Sequence, residues 1–218
     1  MIVDKNIKSL GQSVFLRLEE EILNGTLKPG DTLTEISLSK RMGVSRTPLR
    51  AAIHALAEEG LVEVTPNRGA VVVGVGVDDL VDIYKIRMRL EGIAASLAAQ
   101  RISAESLKRL EESVELSEFY LTKNDSDHLK ELDSEFHSII YKSSASRHLC
   151  KILTELHRNI RSYRKMSLSV PDRLKASVEE HKLILASIKA GDEKEAERLA
   201  VEHISSALDN LLSVIASK

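Results

Sequence analysis

The segment that decides the fold is residues 43–56, GVSRTPLRAAIHAL, with LSKRM before it and EEGLVEV after it. Ser45 offers a hydroxyl where a helix starts, and Pro48 falls in the first turn of that helix. Apolar side chains then recur at spacings of four and three: Leu49, Ile53 and Leu56. This spacing predicts one buried stripe on a helix. With the short apolar helix that precedes Gly43, the segment predicts a helix-turn-helix.

The opposite face of this helix is polar. Thr47, Arg50 and His54 turn away from the apolar stripe, and Arg46 projects from the first turn. Four cations and no acid lie between residues 40 and 50. The N-terminal end of a recognition helix enters the major groove, where such cations meet DNA. An exposed basic helix pair without a partner shows the same charges, so charge alone leaves both interpretations open.

Two β-rich runs follow, LVEV at residues 61–64 and AVVV at residues 70–73. They are joined by the turn-rich link TPNRG, which predicts a β-hairpin. A hairpin after a helix-turn-helix is a wing, and Arg68 at its tip can reach phosphate or the minor groove.

In these residues the sequence resembles the GntR family of bacterial transcription regulators. The matching segments are LTE at 33–35, Leu38, GVSRTPLR at 43–50, Leu56, EGLV at 59–62 and NRGA at 67–70. One departure is AAI at residues 51–53, where the family has Glu-Ala-Leu; it leaves the fold argument intact. The resemblance implies that DNA is bound through Ser45, Arg46, Thr47, Arg50, Arg68 and Gly69. One recognition helix reads only a few base pairs, so we expect a homodimer on two-fold related half-sites of double-stranded DNA.

Composition limits the remaining possibilities. The chain has 218 residues, 3% aromatics, no Trp and a net charge of −2, so DNA affinity must come from a local basic patch. The single Cys150 excludes a disulfide framework within the chain and fits a reducing cytoplasm. No apolar run approaches the roughly 20 residues of a membrane span, and residues 1–8 lack the apolar core of a signal peptide. We therefore expect a cytoplasmic protein without membrane contact.

Everything after residue 77 has helical period. Six helices are predicted, at about 78–101, 104–122, 126–143, 146–168, 172–190 and 193–216, after a first helix at 9–24 and a loose tail at 1–8. The predicted fold class is mainly α. A winged helix-turn-helix with a small β-hairpin occupies residues 1–76, and an antiparallel bundle of about six helices occupies residues 77–218.

Three bundle helices turn titratable groups toward the interior. Asp133 lies beside an apolar stripe and His137 lies at its edge, while His181 and His203 fall within the apolar stripes of two later helices. One carboxylate and three imidazoles can hold Zn²⁺ or a neighbouring divalent metal. A core imidazole bonded to a carbonyl or carboxylate is the alternative for each histidine, and the pattern alone leaves both open.

Arg87 also faces the core, on the stripe of Leu90 and Ala94. Its guanidinium could form an internal ion pair with Glu91 or Asp133, or it could fork the carboxylate of an effector. His128, His148 and His157 lie off or at the edge of their stripes, which predicts surface or boundary positions.

The bundle resembles the FCD effector domain of the FadR subfamily of GntR regulators. The resemblance rests on Arg87-x-x-x-Glu91, Asp133-x-x-x-His137, Glu180-His181 and His203. Metal-binding members carry an Asp and three His at these positions. This implies one divalent ion per chain, zinc first, with nickel or manganese as alternatives.

The two halves together predict a sequence-specific transcription regulator whose operator affinity responds to a small carboxylate metabolite. A metal-dependent enzyme of small acids fused to a DNA-binding module is one alternative, and a metal-ion sensor is another. No inward acid is clearly free to act as a general base, so we expect no enzyme activity.

Overall fold

The computed structural model describes residues 2–65 and 69–217, and it divides into two compact units between Val77 and Asp78. Each unit has a hydrophobic core of its own. The predicted fold class, mainly α-helical with one small β element, is confirmed.

The first unit is a helix-turn-helix with a small sheet. Its elements are α1 (Ile2–Leu23), β1 (Thr32–Leu33), α2 (Glu35–Met42), α3 (Arg46–Glu58), β2 (Val62–Thr65) and β3 (Gly69–Val72). Gly43 ends α2 with a φ of 66°, a left-handed conformation that glycine adopts at no steric cost. Leu49 and Leu56 of α3 are fully buried. The predicted apolar stripe is therefore the core face of α3.

The sheet has three strands rather than the two predicted. All its pairs are antiparallel in the order β1-β3-β2, and Leu33 of β1 pairs with Ala70. A two-residue strand is too short to show a period in the sequence, which is why β1 was missed. The predicted loose tail is also wrong in its described part, because α1 begins at Ile2. No proline or glycine precedes Gly11 to interrupt that helix.

Gly69 offers a test of the sheet. Its φ is +91°, and a Cβ at this position would lie 2.4 Å from the carbonyl oxygen of Leu33. Gly30 has a φ of +92° but open space around its Cβ position, so it is a matched control. Both alanine substitutions strain the backbone, but only Gly69→Ala adds a clash with main-chain atoms. We expect Gly69→Ala to lower the free energy of unfolding by about 1–3 kcal/mol more than Gly30→Ala.

Thermal and denaturant unfolding followed by circular dichroism would measure this difference. Equal destabilisation of the two variants would contradict the close packing of β3 against β1.

The second unit is a helical bundle. Its elements are α4 (Val77–Arg101), α5 (Ala104–Thr122), α6 (Ser126–Ser143), α7 (Arg147–Asn159), α8 (Arg161–Ser167), α9 (Pro171–Ala190) and α10 (Glu193–Ala216). The helix predicted over 146–168 is therefore two helices, interrupted at Ile160. Ile160 itself is fully buried, and its backbone, with φ −106° and ψ 16°, is not helical. This break places the α8 side chains at a different angle from that of a continuous helix.

The bundle core lies between α4, α5, α6, α7, α9 and α10. α5 packs along α6 and α9, and α9 packs along α10. Gly92 lets α4 approach α10 closely, because a Cβ there would lie 2.9 Å from the Val201 side chain. These contacts bring the inner faces of α6, α9 and α10 together.

One described helix, α10, is long and apolar enough to cross a membrane by length and composition alone. The sequence of α10 is not an uninterrupted apolar run, because it includes Glu202 and Asp209. Its inner side packs along α9 and includes the buried residues Ala200, His203 and Ile204. α10 is a helix of the bundle core.

Candidate functional site

The first candidate site is the exposed face of α3. Arg46, Thr47 and Arg50 are exposed there, and Ser45 is exposed just before the helix. Ser45 has the extended backbone of a helix cap, but its hydroxyl makes no capping hydrogen bond. The apolar side of α3 fixes the helix in the core, so its polar face is left at the surface of the unit.

Arg50 has a specific partner within the unit. Its Nε donates to Glu35 Oε1 of α2 at 2.6 Å, although the arginine side chain is 64% exposed. This hydrogen bond raises the pKa of Arg50 and lowers that of Glu35. Sequence reasoning did not anticipate the pair, because fifteen residues and a turn separate its members.

The predicted DNA contacts in the wing are Gly69 and Arg68. Gly69 stands at the start of β3, at the edge of the hairpin link. Arg68, the predicted contact at the wing tip, lies outside the described residues.

The second candidate site is a buried cluster in the bundle. Asp133 and His137 of α6, His181 of α9 and His203 of α10 each offer a ligand atom within 4.8 Å of the others. Asp133 Oδ1 lies 3.7 Å from His181 Nε2 and 4.0 Å from His137 Nε2. Ligand atoms around a tetrahedral zinc ion are roughly 3.3 Å apart, so the cluster is slightly more open than such a shell.

Two of the imidazoles are oriented by carboxylates behind them. His137 Nδ1 lies 2.9 Å from Glu91 Oε2, and His203 Nδ1 lies 2.6 Å from Glu180 Oε2. An ionised carboxylate only accepts hydrogen bonds, so each Nδ1 carries the proton and donates it. In the neutral ring, each Nε2 then carries a lone pair directed into the cluster. Carboxylates hold metal-binding histidines in the same way.

The lone pairs converge without a donor between them. The Nε2 atoms of His137 and His203 are 3.2 Å apart. His181 Nε2 is buried and finds no hydrogen-bond partner among the described residues. Two buried acceptors that face each other, beside a third imidazole nitrogen without a partner, are unfavourable unless a cation or a shared proton lies between them. The residues present therefore fit a metal ion.

The electrostatics keep the ligands in the required charge states. Burial disfavours charge on His181 and His203 and lowers the pKa of both. Burial alone would raise the pKa of Asp133, but the positive charge of the Arg164 guanidinium opposes this effect and the pKa is lowered. A neutral imidazole and an ionised carboxylate are the forms that bind metal.

Three buried arginines surround the cluster. Arg164 of α8 contacts both Asp133 Oδ2 and His157 Nε2. Arg173 of α9 makes a bidentate pair with Glu180, with both distances 2.7 Å. Sequence reasoning gave Arg164 only a weak inward tilt and did not single out Arg173. The break at Ile160 changes the direction in which Arg164 points from that of a continuous helix. Arg173 could have been found through its partner Glu180.

The position of Arg87 on α4 left open an internal ion pair or a role in binding a carboxylate, and its contacts are compatible with both. It pairs with Glu91 at 2.6 Å, both side chains being buried. The charge of Arg87 and the hydrogen bond from His137 lower the pKa of Glu91, although burial opposes the shift. Arg87 Nη1 remains buried without a hydrogen-bond partner among the described residues. Arg87 therefore forms the internal ion pair and still has Nη1 as a donor without a partner among the described residues.

Two cavities adjoin the cluster. An inner cavity of about 20 Å³ is lined by residues that include Arg87, Asp133, His137, Arg164, Arg173 and His203. This volume holds one or two atoms of solvent size. An outer cleft of about 810 Å³ is lined by residues that include Lys130, Asp133, His157, Arg158, Arg161 and Arg164. Asp133 and Arg164 line both spaces.

The other histidines lie outside the cluster. His128 and His148 are exposed, and His128 stacks on Tyr120 with ring centroids 4.4 Å apart. His157 is half-buried between Arg164 and the Tyr141 hydroxyl, and burial lowers its pKa. It borders the cluster, with its ring centroid 5.5 Å from that of His137.

A winged helix-turn-helix and a helical bundle with a buried polar centre define a DNA-binding transcription regulator with an effector domain. Comparison with known families is consistent with this class at both ends of the chain. Residues 10–72 match the family of bacterial regulatory proteins called gntR, and residues 82–206 match the FCD domain. The chain belongs to the GntR family and carries the FCD domain of the FadR subfamily.

Individual relatives agree. The HTH-type transcriptional regulator YdhC of Bacillus subtilis is 29% identical over 200 residues, covering 91% of this chain and 89% of the relative. The Nta operon transcriptional regulator of Aminobacter aminovorans is 29% identical, covering 86% and 88%. The structure of McbR/YncC from E. coli aligns with a TM-score of 0.74 at 27% identity, covering 94% and 97%. The first two are named as transcriptional regulators, in agreement with the family to which the chain belongs.

Proposed function

We propose that this regulator responds to a small organic acid bound beside a divalent metal ion in the bundle. The observation that carries the proposal is the convergence of three imidazole Nε2 atoms and Asp133 on one buried point. Under this proposal residues 77–218 are the effector domain. Residues 1–76 are the DNA-binding domain, which contacts DNA through Ser45, Arg46, Thr47, Arg50, Arg68 and Gly69.

The metal would be held by Asp133, His137, His181 and His203. Zinc suits one carboxylate and three imidazoles, and nickel or manganese suits them nearly as well. When bound, the ion would supply a positive charge and an open position that an acid can fill. Glu91 and Glu180 serve this site by fixing the tautomers of His137 and His203.

Charge balance favours an anionic effector. Three carboxylates around the cluster, Asp133, Glu91 and Glu180, are matched by three guanidiniums, Arg87, Arg164 and Arg173. A dication added to this balanced set leaves two positive charges in excess in a buried place, which is costly unless an anion accompanies it. The spare Nη1 of Arg87 is a donor for such an anion. A small carboxylate meets both requirements.

The protein acts on DNA as a homodimer in the cytoplasm under this proposal, with one recognition helix in each half-site. The acid binds one arrangement of the dimer more tightly than another. The difference between these two binding free energies sets how far it can change operator affinity. A metal-ion sensor differs only in that the ion alone changes DNA affinity.

Native mass spectrometry of the purified protein tests the assembly and the ion together. We expect a dimer carrying one divalent ion per chain at micromolar concentration without DNA. A monomer would contradict the dimer, and a dimer that takes up no zinc, nickel or manganese when they are supplied would contradict the metal.

Fluorescence anisotropy on an operator selected from random DNA then separates the two kinds of signal. If small carboxylates change the affinity only of the metal-loaded protein, the acid is the signal. If metal alone produces the full change, the protein is a metal sensor.

A further inference from the structure

The inner cavity beside the metal cluster is bordered by hydrogen-bond donors that lack an acceptor. Tyr84 Oη, Arg87 Nη1 and Arg173 Nε are buried atoms without a hydrogen-bond partner among the described residues. All three residues line this cavity of about 20 Å³. Buried donors are costly when they stay unpaired, so such groups in a folded protein call for an explanation. Three of them around one small cavity indicate a ligand that supplies acceptors.

Tyr84 and Arg87 are held together on α4. They are three residues apart and lie on one face of the helix, and the guanidinium carbon of Arg87 lies 4.9 Å from the centroid of the Tyr84 ring. Arg87 Nε and Nη2 both contact Glu91 Oε1, at 2.7 and 2.6 Å. These contacts fix the guanidinium and leave Nη1 as its donor without an acceptor. A hydroxyl and an N–H placed in this way can donate to the two oxygens of one carboxylate.

Side-chain acceptors that border the cavity have partners within the protein. Asp133 contacts Arg164 and accepts a hydrogen bond from Ser177 Oγ at 3.4 Å. Ser167 Oγ accepts from Asn210 Nδ2 at 2.7 Å. The described side-chain atoms of the lining that remain unpaired can all donate. An ionised carboxylate offers acceptors only, so it matches this lining on grounds that are independent of the charge balance.

We infer that Tyr84 is an effector-binding residue. Its hydroxyl donates to one oxygen of the carboxylate of the acid, and Arg87 Nη1 donates to the other. This inference rests on the proposed function and adds a residue that sequence reasoning did not single out. In the acid-free protein the Tyr84 hydroxyl is buried with its hydrogen bond unmade, so its removal leaves the free protein no less stable. A tyrosine whose hydroxyl has a structural partner behaves in the opposite way.

Isothermal titration calorimetry on zinc-loaded protein tests the binding role with formate, acetate, propionate, butyrate and succinate. We expect Tyr84→Phe to weaken binding of the acids that bind the original protein by about ten- to a hundredfold, because it removes one hydrogen bond to a charged group. Tyr120→Phe is the matched control, since Tyr120 belongs to the same bundle but lines neither cavity. It should bind these acids as the original protein does. Elemental analysis should show one zinc ion per chain in both variants, because neither tyrosine belongs to the cluster.

Thermal unfolding of the metal-free and acid-free protein tests whether the hydroxyl is structural. Tyr84→Phe should melt at or above the temperature of the original protein. Tyr141→Phe is the reference for a buried tyrosine with a partner, because the Tyr141 hydroxyl lies 3.3 Å from His157 Nδ1. That substitution removes a hydrogen bond and should lower the melting temperature. A purely structural role of Tyr84 would not produce this contrast.

The outcomes separate this inference from the proposed function. If acids bind the original protein and Tyr84→Phe equally, Tyr84 does not bind the effector and the carboxylate site beside the metal stands. If Tyr84→Phe loses affinity but also melts as low as Tyr141→Phe, the hydroxyl is structural and the inference fails. If none of the five acids binds the zinc-loaded original protein, the proposed function fails and the inference fails with it.

Discussion

Replacing His203 by alanine is expected to reduce bound divalent metal to well below one ion per chain. His203 Nε2 faces His137 Nε2 at 3.2 Å, so the substitution removes one of the converging ligands. Loss even of a residue that orients a ligand typically weakens metal binding by about 10–100-fold, and loss of the ligand itself should cost at least as much. Elemental analysis after dialysis measures the occupancy, and circular dichroism checks that the helices remain.

His148→Ala is the matched control, because His148 is exposed in the same bundle. It should keep one ion per chain. Full occupancy in both His181→Ala and His203→Ala would place the metal elsewhere. The buried imidazoles would then be core residues held by their carboxylate partners.

The metal-free protein should also lose stability as the pH falls below about 6.5. Burial lowers the folded-state pKa of His157, His181 and His203 below the ordinary value, so between the two values the unfolded chain binds more protons. Stability therefore rises with pH across this window and is lost as the pH drops through it. Melting temperatures from pH 7.5 to 5.5 should fall less steeply for His203→Ala than for His148→Ala. Equal slopes would contradict a role for His203.

The second large effect is expected at the recognition helix. Arg50→Ala should weaken binding to the selected operator by about ten- to a hundredfold if Arg50 forks a guanine, and affinity for random DNA should change much less. Anisotropy titrations on both DNAs at one salt concentration measure the ratio. A uniform loss on both would make Arg50 a phosphate contact.

Glu35→Gln is the control for this experiment. It removes the acid that Arg50 contacts at 2.6 Å while leaving the arginine in place. If Arg50 acts through DNA, this variant should bind the operator at least as well as the original protein. If Glu35→Gln loses as much affinity as Arg50→Ala, the pair acts by holding α2 and α3 together.

The sequence was sufficient for the parts of the fold that depend on periodicity. The stripe Leu49, Ile53, Leu56 and the turn at Gly43 predicted α3 and its packing correctly. The sequence was insufficient where a feature is too short to show a periodic pattern. Strand β1 has only two residues. The helix break at Ile160 lacks the proline or glycine that usually marks such a break.

The candidate site was likewise predictable only in part from the sequence. Helical spacing indicated which way Asp133, His137, His181 and His203 face, and the structure places them together. It could not indicate that Glu91 and Glu180 lie behind two of these histidines, because those contacts join different helices. Which face of a helix a residue occupies can be predicted from one sequence, but how two helices are rotated against each other cannot.

The contact between Arg50 and Glu35 also bears on how the regulator searches a genome. A DNA contact that uses the Nε edge of Arg50 must first displace the carboxylate of Glu35. A well-matched base edge can replace that partner fully, whereas an arbitrary stretch of duplex offers a poorer exchange. Glu35 therefore shortens the residence time of the regulator on the large excess of non-specific DNA and leaves more protein free to scan. Because the ion pair between Arg50 and Glu35 lies at the surface, added salt weakens the internal competitor as well as the DNA contact, and discrimination should tolerate ionic strength better than affinity does.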